Sequence, residues 1–114
     1  WSAVGYVVTG KESPPPPDTD PPEPNPSEWE TEPHALSPSK IHMVAVTAYD
    51  PSDGVQYQFA CVGGGGHSSN WQTSPEYTDT SLDASTEYTY EVRTRDVYDN
   101  VGGYSDPRSA TTLP

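Results

Sequence analysis

At 114 residues, with 17 acidic against 5 basic side chains and a net charge of −12, the chain has room for one domain. That charge excludes a nucleic-acid partner, whose phosphates need a basic face, and disfavours anionic membrane surfaces. Fourteen prolines and nine glycines beside one methionine argue against a helical domain, and no apolar run is long enough to insert in a bilayer.

Three zones follow one another. Residues 1–10, Trp1 to Gly10, are rich in β-branched and aromatic residues and read as a lone strand. Val4, Tyr6 and Val8 alternate with Ala3, Gly5 and Val7, so a partner could cover either face. Without a partner in its own zone, such a strand is an aggregation hazard. It reads either as a remnant of an upstream domain or as an assembly strand that adds to the sheet edge of another copy. Residues 11–33 hold Pro14 to Pro17, then Pro21, Pro22, Pro24, Pro26 and Pro33, among seven acidic residues. Proline fixes φ and donates no hydrogen bond, so this zone is expected to be an extended polyproline linker. At ~3.1 Å per residue it would reach ~70 Å.

Residues 34–114 carry strand signals at the spacing of a sandwich. Ala35–Ser39 suits an edge strand, with Pro38 tolerated there. Ile41–Tyr49 follows, with Ile41, Met43 and Ala45 inward. Asp50-Pro-Ser-Asp-Gly54 is a turn. Val55–Val62 places Val55, Tyr57, Phe59 and Cys61 inward, and Gly63–Gly66 is a flexible loop. Trp71–Ser74 is a short strand and Tyr77–Ser81 another. In Glu87–Asp96, Tyr88, Tyr90, Val92 and Thr94 alternate strictly with Thr89, Glu91, Arg93 and Arg95, the period of a half-buried strand. Ser109–Leu113 closes the set. The expected fold is an all-β, seven-stranded Greek-key sandwich, preceded by the proline-rich linker and the isolated N-terminal strand.

Leu82-Asp-Ala-Ser-Thr-Glu-Tyr88 carries the most specific signal. A turn just before the tyrosine lets its phenol bond backbone a few residues upstream, as in a tyrosine corner. With Tyr77-Thr-Asp-Thr-Ser-Leu82 and Thr86-Glu-Tyr-Thr-Tyr-Glu-Val-Arg93, the stretch resembles the corner and following strand of a fibronectin type III domain of bacterial secreted or surface proteins. The resemblance covers residues 34 to 113. It implies an immunoglobulin-like sandwich, an extracellular or cell-surface setting, and no shared catalytic residue. The family carries a core tryptophan on its second strand, where Ala45 stands here. Trp71 or the tyrosines are expected to fill that space.

Candidate chemistry is sparse, and no enzyme is expected. The single cysteine, Cys61, excludes an intrachain disulfide. Cys61, His67 and Asp79 can be strung into a triad on paper, but Cys61 should face the core and His67 follows four glycines. His34, His42 and His67 lack zinc-like spacing. Asp96, Asp99 and Asp106 are calcium candidates in loops; turn-forming carboxylates are the plainer reading. No other cofactor is expected. Trp71, Tyr98 and Tyr104 are candidates for stacking on a polysaccharide. The expected role is a non-catalytic structural module that associates with itself or with neighbouring domains. A spacer in a secreted polysaccharide-degrading enzyme, and a carbohydrate- or calcium-binding accessory module, are the alternatives.

Overall fold

The computed structural model describes residues 19–52 and 54–114. The expected assembly strand Trp1–Gly10, with Val4, Tyr6 and Val8, lies outside the described residues, as does the linker as far as Asp18. Six strands are formed: β1 (Trp29–Ser37), β2 (Lys40–Ala45), β3 (Gln56–Gly63), β4 (Glu76–Asp79), β5 (Glu87–Arg95) and β6 (Arg108–Thr111). They build two antiparallel sheets, ordered β1-β2-β4 and β3-β5-β6.

The core lies between the sheets. Ile41, Met43 and Ala45 from β2 meet Tyr57 and Phe59 from β3 and Tyr88, Tyr90 and Val92 from β5. Alternation selects these faces: buried and half-buried positions alternate along β5 without interruption from Tyr88 to Thr94. Each large apolar side chain buried here contributes about 1.5–3 kcal/mol. Cys61 departs from this pattern. It is half-buried against the core rather than within it, because β3 loses register between Cys61 and Gly63.

The strand expected at Ala35–Ser39 is longer and starts earlier, at Trp29. Trp29–Pro33, five residues assigned to the linker by their proline and charge, therefore lie in β1. The strand accommodates Pro33 because β1 is an edge strand with three register shifts against β2. Pro38 is not in a strand; it occupies the two-residue turn between β1 and β2. Trp29 explains the early start. It is the cross-strand partner of Ala45, and its ring packs on Phe59 at 6.2 Å between centroids. The tryptophan missing from Ala45 is thus supplied from the directly opposite position on the neighbouring strand, and not by Trp71.

More of the expected linker docks as well. Glu23 and Tyr49 exchange both backbone hydrogen bonds at 2.8 Å. The Ser27 amide donates to the Gly103 carbonyl at 3.3 Å, and the Gly103 amide donates to Asn25 Oδ1 at 2.9 Å. Pro22 and Ser27 are buried. The strand expected at Ile41–Tyr49 ends at Ala45, with one last rung beyond it from the Val46 amide to the Glu28 carbonyl at 2.9 Å. The strand expected at Trp71–Ser74 is reduced to one bridge, Gln72 with Tyr57.

The tyrosine corner is present. Tyr88 is buried, and its hydroxyl accepts the Asp83 amide hydrogen bond at 2.8 Å. Thr112 Oγ1 donates to the Asp83 carbonyl at 2.5 Å and accepts from the Thr86 amide at 3.0 Å, so the corner also holds the end of the chain. Replacing Tyr88 with Phe removes the acceptor of the Asp83 amide from a part-buried hydrogen bond. Tyr88→Phe should lower stability by about 1–3 kcal/mol with the native circular dichroism retained, measured by urea unfolding.

Candidate functional site

Asp79 closes β4 and is 1 % exposed. Its carboxylate collects three donors. Tyr90 Oη–H reaches Oδ2 at 2.7 Å, the His67 amide reaches Oδ2 at 2.8 Å, and the His67 ring Nδ1 lies 2.8 Å from Oδ1. A buried carboxylate needs such satisfaction, since desolvating it alone costs several kcal/mol. Tyr77 completes the group by donating from its hydroxyl to the His67 carbonyl at 2.9 Å.

Glycines make this approach possible, not looseness. A Cβ on Gly66 would come within 2.6 Å of Asp79 Oδ2 and 3.0 Å of Cys61 Sγ. Gly64 has φ +95° and faces the Glu87 carbonyl, where a Cβ would sit at 2.3 Å. The segment then runs back along the outer edge of β3. Ser68 Oγ accepts the Cys61 amide at 3.0 Å, Ser69 Oγ accepts the Phe59 amide at 2.9 Å, and the Ser69 amide donates to the Phe59 carbonyl at 2.8 Å.

Of the paper triad, the structure joins His67 to Asp79 and leaves the thiol out. Cys61 Sγ donates to the Gly63 carbonyl at 3.2 Å, whereas an activated nucleophile bonds its base. The phenols feel the buried charge. Burial, then the Asp79 carboxylate and then Cys61 push Tyr77 up to about 12. Tyr90 is raised further, by burial first, then by its hydrogen bond to Asp79 and the charge on that carboxylate.

On the outer face of β3-β5-β6 a second arrangement forms. The Arg95 guanidinium lies 4.5 Å from the Trp71 ring centroid, and Arg93 lies 5.3 Å from Trp71 and 4.7 Å from Tyr104. Gln58 Oε1 accepts both Arg93 Nε and Nη2, at 2.9 and 2.7 Å, and Gln56 Oε1 accepts Arg95 Nε at 2.8 Å. Two of the polysaccharide candidates, Trp71 and Tyr104, are thus brought onto one guanidinium. Tyr98 is separate, exposed in the turn after β5. The outward alternation of Arg93 and Arg95 was legible in the sequence; the return of Trp71 across that face was not.

The calcium candidates are placed apart in function. Buried Asp96 shapes the turn after β5: Oδ1 accepts the Tyr98 and Asn100 amides at 2.8 and 3.0 Å, and Oδ2 accepts Asn100 Nδ2 at 2.8 Å. Asp99 pairs with Arg95 at 3.5 Å. The Asp106 carbonyl accepts the Trp29 indole N–H at 3.0 Å, while its exposed carboxylate lies 3.9 Å from Arg108. Among the described residues no group of three or more His, Cys, Asp or Glu is arranged to hold a metal ion. Nor is any helix among them long and apolar enough to cross a membrane.

No family model matches the sequence, and no curated protein matches it. Solved structures do. The chain is similar to the fibronectin type III domain of human fibronectin type III domain containing protein 3, with TM-score 0.59 and 18% identity over 87% of this chain and 92% of that one. It is similar to FN3tt, with TM-score 0.50 and 17% identity over 82% of this chain and 94% of that one. Part of the family 28 exopolygalacturonase of Yersinia enterocolitica is similar too, with TM-score 0.57 and 17% identity over 83% of this chain but only 21% of that enzyme. The chain therefore has a fibronectin type III-like fold.

The two raised phenols set an alkaline limit. When unfolded, each ionises near the ordinary tyrosine value of about 10. When folded, each keeps its proton to higher pH. The native chain then binds more protons than the unfolded one above pH 10, so this stability is full below about 10 and is lost as pH rises, through about 12 for Tyr77. Tyr90→Phe should cost about 1.5–3 kcal/mol at pH 7, where a donor to a charged group is lost. It should also flatten the fall in stability above pH 10. Urea midpoints from pH 7 to 12 test both, and an unchanged alkaline slope would show that Tyr90 does not carry it.

Proposed function

We propose that the protein is a non-catalytic, in-line structural module working outside the cell. One observation carries this reading: both flanks of the domain are tied down at opposite ends of the sandwich. At one end, Glu23 and Asn25 are fastened to Tyr49 and Gly103, beside the start of β1 and the end of β5. At the other, the Leu113 amide reaches the Ser37 carbonyl at 3.4 Å and the Ser85 amide donates to the Leu113 carbonyl at 3.1 Å. Backbone hydrogen bonds at both flanks fix direction, which a spacer requires and a flexibly hung domain lacks. The fibronectin type III-like fold supports the reading, as does the likeness to part of an exopolygalacturonase for the spacer alternative.

Spin labels at Asp20 and Pro114 test it by pulsed dipolar spectroscopy, with Cys61 replaced by Ser. A single narrow distance is expected. A broad distribution would remove the in-line role, and hydrolytic turnover lost on Asp79→Asn would remove the non-catalytic one.

Self-association through Trp1–Gly10 is the finer part of the proposal. Its support is the sequence alternation of Val4, Tyr6 and Val8 with Ala3, Gly5 and Val7, the pattern of a strand that could be covered on either face. Sedimentation velocity compares the whole chain with one beginning at Asp20, which keeps the docked segment and Trp29. The whole chain should associate and the shorter one should sediment as a monomer. Equal behaviour would rule out the strand as the cause.

A further inference from the structure

His34 and His42 are eight residues apart in sequence and directly opposite in space. They are cross-strand partners in the β1–β2 register, on the outer face of that sheet, with ring centroids 5.3 Å apart at 84°. His34 is exposed and His42 is partly so. The second ring atoms are engaged by groups that can only accept. His42 Nε2 lies 3.2 Å from Glu76 Oε1, and His34 Nδ1 lies 3.3 Å from the Glu32 carbonyl. A carboxylate and a carbonyl offer no proton, so those two nitrogens carry the hydrogens. In the neutral rings the lone pairs then sit on His42 Nδ1 and His34 Nε2. This is the outer arrangement seen around metal-binding imidazoles, where a carboxylate or carbonyl acceptor fixes the tautomer and raises the ligand's basicity.

We propose that His34 and His42 form a two-imidazole site for a divalent transition metal of the class that favours nitrogen ligands, zinc or copper. Water completes the coordination, so the site needs no third protein ligand. The edge-to-face rings do not share an ion as they stand. To share an ion His34, the more exposed ring with the longer hydrogen bond, must turn and give up its bond to the Glu32 carbonyl, while His42 keeps its outer carboxylate, Glu76. The charge of −12 concentrates cations near the surface without choosing among them, and the imidazole pair supplies the choice. A bound ion would clip β1 to β2 across an edge strand that is interrupted by register shifts on both sides of His34.

The test is calorimetric titration of the whole chain with Zn2+ alone, with Cu2+ as the second probe, alongside histidine-selective NMR. One ion per chain is expected, with the His34 and His42 ring signals moving together. His34→Asn and His42→Asn should each weaken binding at least about tenfold, and Glu76→Gln, which removes the outer carboxylate, about tenfold. The His67 ring signal should stay in place, which separates this pair from the third histidine. Zn2+ should raise the unfolding midpoint of the parent chain but not of His34→Asn, since only an ion bound to the native state stabilises it. His34 faces solvent, so that variant keeps the core, and circular dichroism checks it. No binding, binding retained in both histidine variants, or a His67 ring signal that moves with the pair would overturn the proposal.

Discussion

The fold depends on one aromatic stack. Phe59, the only phenylalanine, is fully buried and packs on both Trp29, at 6.2 Å and tilted by 36°, and Tyr77, at 5.4 Å and 19° between planes. The three rings come from β3, β1 and β4, so a single contact joins both sheets. With so few leucines, and one methionine, large rings must fill the space between the sheets. This explains why β1 starts inside a proline-rich stretch. The core requires Trp29, and the chain must be extended there to deliver it opposite Ala45. The Trp29 indole N–H then reaches the Asp106 carbonyl and ties β1 to the loop ahead of β6.

A polar counterpart sits a few residues away. Tyr77 packs on Phe59 through its ring, while its hydroxyl holds the segment that supplies His67 to Asp79. The aromatic stack and the buried carboxylate are therefore neighbours along one strand. Ring contacts tolerate several geometries, whereas a buried charge with three fixed donors tolerates few. The apolar part supplies most of the stability, and Asp79 sets how β4, β5 and the glycine-rich segment are aligned.

How far the sequence could be read varied with the kind of signal. β5 was legible because its alternation is unbroken and the short turn before Tyr88 suits only a few geometries. The core faces of β2 and β3 followed from the same period. β1 was hidden because proline and acidic residues mark linker by composition, whereas a bulged edge strand tolerates both. Trp71 could be read from the sequence either as a core filler or as a surface aromatic, and its place against two outward arginines depends on a chain path that spacing does not reveal. The pairing of His67 with Asp79, and that of His34 with His42, depend on register and on a glycine-permitted approach. Neither can be derived from residue spacing alone.

The stretch from Gly66 to Gln72 has a consequence for how the protein meets its own copies. It occupies the outer edge of β3 with serine hydroxyls and one short bridge, so the amides and carbonyls of Tyr57 and Phe59 and the amide of Cys61 are already satisfied. A sheet edge treated this way cannot template a foreign strand. It acts as a selvedge, woven from the protein's own loop, that stops the sheet from growing in that direction. Any lateral joining of chains through β-pairing would be confined to strands that lack such a border.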